Sequence, residues 1–146
     1  MLALEVVSVP VTDIDRALAF YTQRVGFMLD VDYQPTDSFR VVQLTPIGSA
    51  CSIHLVRADD KGRHCNLCLV TNDLEAAVQG LNSRGVIVSN IRHKNPVDTW
   101  AGGWRAGIDP LHRDYCSFAD FTDLDENSWT LQERGYRAPQ QTTKGA

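Results

Sequence analysis

His54 is the side chain in this chain best suited to chemistry near neutral pH. An imidazole titrates in that range and serves as general acid, general base or orienting donor. The competing reading is a histidine satisfied by a neighbouring hydroxyl. Around it the sequence offers neutral polar groups at alternating strand positions: Ser8, Ser52, Asn66, Ser128, Thr130 and Gln132. Such a lining suits hydrogen bonds to an oxygenated ligand, or an internal network with bound water. Arg40 is a candidate for a carboxylate or phosphate, against a surface ion pair. Asp120 is a candidate acid/base partner for a histidine, although the face it occupies is not set by sequence. Trp100, Trp104, His112 and Tyr115 cluster in or beside residues 92–114, with His93, Lys94, Arg105 and Arg113 making the stretch basic. Two tryptophans argue for an aromatic lid over a planar ligand, or for burial against a second subunit.

Cys65 and Cys68 have the C-x-x-C spacing of redox and zinc sites. In a strand, a separation of three puts the two side chains on opposite faces, and no second pair completes a zinc site. The four cysteines are therefore expected to be reduced and structural.

Two copies of one unit position these groups. Thr12-Asp13-Ile14-Asp15-Arg16-Ala17-Leu18 returns sixty positions later as Asn72-Asp73-Leu74-Glu75-Ala76-Ala77-Val78. Each copy follows an apolar alternation, starts at a capping Asp and ends at a glycine, Gly26 or Gly85. The first helix has the stripe Ile14, Ala17, Leu18, Tyr21 and Val25, and the second has Leu74, Ala77, Val78 and Leu81. Alternation predicts strands over 3–11, 27–33, 39–45 and 50–57, then 64–71, 86–91, 115–122 and 127–133. Residues 34–37 read as a turn and 92–114 as a long loop. Each half is then β-α-β-β-β, an α+β fold of two modules, about 3–58 and 63–134, in one domain spanning 1–134. Residues 135–146 form a polar tail. Val7, Val9, Leu67 and Leu69 face the helices, and Val6, Ser8, Asn66 and Cys68 face the other way.

Bulk properties bound the function. The chain has 146 residues, 43% hydrophobic and 22% charged, enough for one sizeable core. A net charge of -4 argues against nucleic acid as a partner. No segment approaches the roughly 18 apolar residues of a membrane span. The opening MLALEVVSVPVTD shows neither a basic leader nor a cleavage pattern, so a cytoplasmic location is expected.

VPVTDIDRALAFYTQRVGF, FRVVQLTPIGSACSIHL and FTDLDENSWTLQE together resemble the vicinal oxygen chelate superfamily of glyoxalases, bleomycin-resistance proteins and extradiol dioxygenases. The resemblance covers residues 3–134 and looks closest to small actinobacterial members. It implies that the modules curl into an open, pseudo-twofold cup and that the chain dimerises. It also implies a metal site with one ligand from the first and one from the last strand of each module. Carried over position by position, those ligands fall on Val6, His54, Asn66 and Thr130. Valine has no donor, and Asn and Thr are weak neutral ones, so no metal and no other cofactor are expected. A displaced site using His54, His64 and His112 is the alternative. The turn also departs from the family's Asp-Pro-Asp-Gly, with Leu124 and Glu126 in its place.

Three functions are compatible with this resemblance. The leading one is a metal-independent isomerase, lyase or cyclase acting on a small oxygenated or aromatic metabolite. In it, His54 moves the proton and the polar lining binds oxyanions. The second is a non-catalytic protein that sequesters a drug or metabolite. The third is a metal enzyme with an unusual ligand set.

Overall fold

The computed structural model describes residues 1–59, 65–95 and 103–139. His64, Trp100 and the end of the polar tail lie outside these. Each first strand, β1 (Val6–Val11) and β5 (Asn66–Thr71), runs into a helix, α1 (Ile14–Ala19) and α2 (Leu74–Ser83). The caps are equivalent. Asp13 accepts from Arg16 N and Asp73 from Ala76 N, both at 3.0 Å. This satisfies one of the four orphan donors at each helix start. Gly26 and Gly85 end the two helical segments at φ of 92° and 87°, a region that favours glycine.

Helix α1 differs from its copy. It continues as a π-helical segment, Phe20–Val25, whose wider turn brings Phe20 and Tyr21 inward together. Tyr21 then meets Phe27 at 5.6 Å and Trp129 at 5.8 Å between ring centroids. Trp129 is buried in the second module, so one core serves both modules.

The first module closes with β2 (Met28–Thr36), β3 (Phe39–Thr45) and β4 (Ser52–Arg57), in sheet order β1-β4-β3-β2. The second contributes β6 (Arg92–Asn95), β7 (Gly103–Ala106), β8 (Ser117–Thr122) and β9 (Ser128–Glu133), in order β5-β9-β8-β6-β7. The expected α+β architecture is present, with three local differences. The predicted turn at 34–37 is strand through Thr36, with an irregular register between Tyr33 and Thr36. The predicted strand 86–91 is irregular backbone. There Ser89 takes over the pairing, its N donating to Asp120 O while its Oγ accepts from Asp120 N, both at 2.8 Å. The predicted loop 92–114 instead contains the β6–β7 hairpin.

The modules keep one register. Val6 pairs with Ser52 and Ser8 with His54; sixty residues on, Asn66 pairs with Ser128 and Cys68 with Thr130. The turn Asp123–Asn127 clamps them together. Asn127 donates from Nδ2 to Pro10 O at 2.9 Å and accepts from Cys65 N at 2.8 Å. Asp125 accepts from both the N and Oγ1 of Thr12. All four cysteines are free. Burial raises the thiol pKa of Cys65 and Cys116, keeping both protonated and unreactive.

Candidate functional site

Strand registers define the face of each sheet turned away from the helices. In the first sheet, Ser8, His54 and Gln43 lie side by side across β1, β4 and β3. In the second, Cys68, Thr130 and Asp120 do so across β5, β9 and β8. The alternation that buries Val9, Leu55, Val42, Leu131 and Ala119 on the helix side puts these groups on the open side.

His54 is half-buried, and among the described residues its ring has no hydrogen-bond partner. It lines a cavity of about 590 Å³ together with Phe39, Arg40, Val56, Arg57 and the start of α1. The cavity lies where β3 and β4 part. They pair only from Val42–Leu55 to Leu44–Ile53, and upstream of this β3 follows β2. Ser8 is exposed beside His54. Ser52 is buried, and its hydroxyl is taken up by Thr45 at 2.6 Å and Gln43 at 3.4 Å, so the protein itself uses its hydrogen-bonding capacity.

Arg40 is held by carboxylates. It donates to Asp15 at 2.7 Å and, through Nε and Nη2, to both oxygens of Asp32. These bonds raise the Arg40 pKa and lower that of Asp32. Arg40 borders the cavity with its fork already occupied, as the surface ion-pair reading requires.

The open face of the second sheet carries a connected cluster. Arg92 Nη1 donates to Asp120 Oδ2 at 2.6 Å, and Thr130 Oγ1 donates to Asp120 Oδ1 at 2.9 Å. The Arg92 guanidinium lies 4.9 Å from the Trp104 ring centroid and 5.9 Å from that of Phe118. Trp104 and Phe118 meet edge-to-face at 5.4 Å, and Lys94 Nζ sits 5.2 Å from the Phe118 ring. Asp120 thus bonds to Arg92 and Thr130, on a different sheet from His54. Asn66 and Ser128 hydrogen-bond to each other on the same face.

His112 and Tyr115 occupy a different place. His112 Nδ1 is 2.6 Å from Oε1 of Glu133, whose other oxygen accepts from Leu74 N at the start of α2. Glu133 is fully buried and shares a strand face with Trp129 and Leu131, so His112 belongs to the helix side. Its ring stacks on Tyr136 at 3.6 Å. The Tyr115 hydroxyl accepts from Arg134. Both side chains thus hold residues 133–136 instead of lining the open face.

Arg92 and Phe118 escaped the sequence reading. The signal was the alternation in Arg92-His93-Lys94, which becomes meaningful only once β6 is seen as a strand.

The four positions matching the family's metal ligands do not suit a metal. Val6 has no donor, Asn66 Oδ1 accepts from Ser128, and Thr130 donates its proton to Asp120. That leaves the His54 imidazole as one good donor where about three are normal. Among the described residues, no group of three or more His, Cys, Asp and Glu gathers to hold an ion.

The family model described as Glyoxalase/Bleomycin resistance protein/Dioxygenase superfamily matches residues 3–131. Among solved structures, the chain is similar to TnmS3, an antibiotic binding protein from Streptomyces sp. CB03234. The identity is 29% over 91% of this chain and 96% of that one, with a TM-score of 0.66. A glyoxalase/bleomycin resistance protein from the same Streptomyces is 30% identical over 90% and 100%, at 0.64. A superfamily member from Sphaerobacter thermophilus DSM 20745 shares the fold at 23% identity over 92% and 98%, at 0.67. No match was found among curated proteins.

Proposed function

The chain belongs to the glyoxalase/bleomycin resistance protein/dioxygenase superfamily, and on that footing we propose that it is a metal-independent protein that binds and sequesters a small planar aromatic compound. The observation carrying this reading is the Trp104–Phe118–Arg92 cluster beside a polar floor of Asn66, Thr130 and Gln132. Trp104 is half-exposed, which leaves indole surface for a ligand ring. A base positioned by a carboxylate, the usual sign of proton transfer, is not supported at His54, because Asp120 is engaged by Arg92 and Thr130. The antibiotic binding described for TnmS3 supports the same reading.

The test uses the purified chain and a panel of planar aromatic antibiotics. Quenching of tryptophan fluorescence reports binding, and mass spectrometry of the recovered compound reports its fate. Saturable binding with unchanged compound is expected. Catalytic consumption would replace this reading with the metal-free isomerase, lyase or cyclase, which one observation favours: the His54 ring, without a hydrogen-bond partner among the described residues, beside a cavity.

The reading includes a homodimer working in the cytoplasm. The open face of the first sheet exposes Met28, Val31, Tyr33 and Phe39, a run of large apolar groups that a second copy would cover. Light scattering on the eluting protein checks this, and a monomer at micromolar concentration would refute it.

A further inference from the structure

We propose that Arg92 is the specificity-determining residue of the open face, reading an anionic oxygen on the aromatic ligand. This rests on the binding reading above and deepens it. A guanidinium carries five N–H donors in a planar fork. Here Nη1 is committed to Asp120, and the remaining donors have no partner among the described residues. The side chain is nevertheless restrained from three directions. Asp120 holds one nitrogen, Thr130 holds Asp120, and the rings of Trp104 and Phe118 flank the cation. A restrained Arg gives up little rotamer entropy when it binds, so its free edge is a preorganised receptor.

The fork selects the ligand group. A guanidinium has donors and no acceptor, so the edge of Arg92 that Asp120 leaves open takes an acceptor oxygen. A carboxylate or phenolate attached to a ring is attracted, whereas an ammonium is repelled. The apolar rings beside the cation raise the strength of a charge-assisted hydrogen bond by displacing water from it.

Three ring-matched probes separate the possibilities: 2-naphthoate, 2-naphthamide and 2-naphthylmethylammonium, titrated into the full chain by fluorescence. Naphthoate is expected to bind at least about tenfold more tightly than naphthamide, as one charge-assisted hydrogen bond warrants, with the ammonium weakest. Arg92→Lys, which keeps the charge but loses the fork, is expected to abolish most of that preference, read as the ratio of the two affinities in the same protein. Equal binding of naphthoate and naphthamide to the unaltered chain overturns the role of Arg92 but leaves the aromatic site standing. Full preference retained in a folded Arg92→Lys protein overturns it as well. Absence of binding by all three overturns both this inference and the reading on which it rests.

Discussion

The hydroxyl of Tyr21 donates to Asp123 Oδ2 at 2.6 Å across 102 positions of chain, joining the π-helical segment of one module to the turn of the other. Trp129 Nε1 donates to the same hydroxyl at 3.0 Å, and Asn127 Nδ2 donates to the same carboxylate oxygen at 2.8 Å. Removing the hydroxyl takes one donor from a buried carboxylate and leaves a buried indole N–H without its acceptor. Tyr21→Phe is expected to cost about 2 kcal/mol in urea denaturation. Burial, with Asp123 adding to it, raises the Tyr21 pKa above the ordinary tyrosine range. The unfolded tyrosine therefore ionises first, near pH 10, and this contribution to stability falls as pH rises beyond that. Tyr21→Phe is expected to flatten the alkaline slope.

Asp109 is fully buried and bound by Arg113 through Nε at 2.9 Å and Nη2 at 3.1 Å. Those bonds, with the backbone N–H groups of Arg113 and Leu111, hold its carboxyl well below the usual range. A depressed pKa stabilises the fold above the unfolded value, about 3.9, and the benefit is lost as pH falls below it. Denaturation at pH 7 and pH 3 is expected to show a smaller acid loss in Asp109→Asn than in the unaltered chain, from a lower starting stability.

Arg40 gives the opposite expectation for function. Its ion pairs reach an exposed Asp15 and a partly exposed Asp32, a setting in which such pairs contribute about 1 kcal/mol or less. Arg40→Ala should lower stability by no more than that and leave aromatic-ligand affinity unchanged. A tenfold loss of affinity would make Arg40 part of the binding site.

What could be read in advance follows the range of the forces involved. Asp13 and Asp73 were legible because a cap acts on a backbone N–H three residues away. The faces of Ser8 and His54 were legible because strand parity is local. Arg92 was not, because its role depends on Phe118 and Asp120, brought beside it by the pairing of β6 with β8. His112 looked like a ligand contact because its partner, the buried Glu133, lies 21 positions away and owes its burial to the folded core. The departure at Glu126, where the family's turn has Gly, bears on turn geometry. Its φ is 67°, where a residue with a Cβ is disfavoured. Glu126→Gly is expected to change stability in urea denaturation by less than about 1 kcal/mol, because relief of that strain is set against the entropy of a glycine and the loss of the Glu126 interactions.

The register that aligns Val6 with Asn66 and His54 with Thr130 leads to the last prediction. A metal bound to the native state stabilises it in proportion to the logarithm of ion concentration over Kd. With His54 as the one strong donor among the four positions, affinity for zinc, nickel or manganese should be too weak to register. Excess of each ion is expected to shift Tm by less than about 1 °C, and dialysed protein to retain well under one equivalent by elemental analysis. His54→Ala should leave both results unchanged, since the ring is not part of a chelate. A shift of several degrees that disappears in His54→Ala would show a metal held by His54 together with donors beyond the four aligned here, and the metal-independent reading would fail with it.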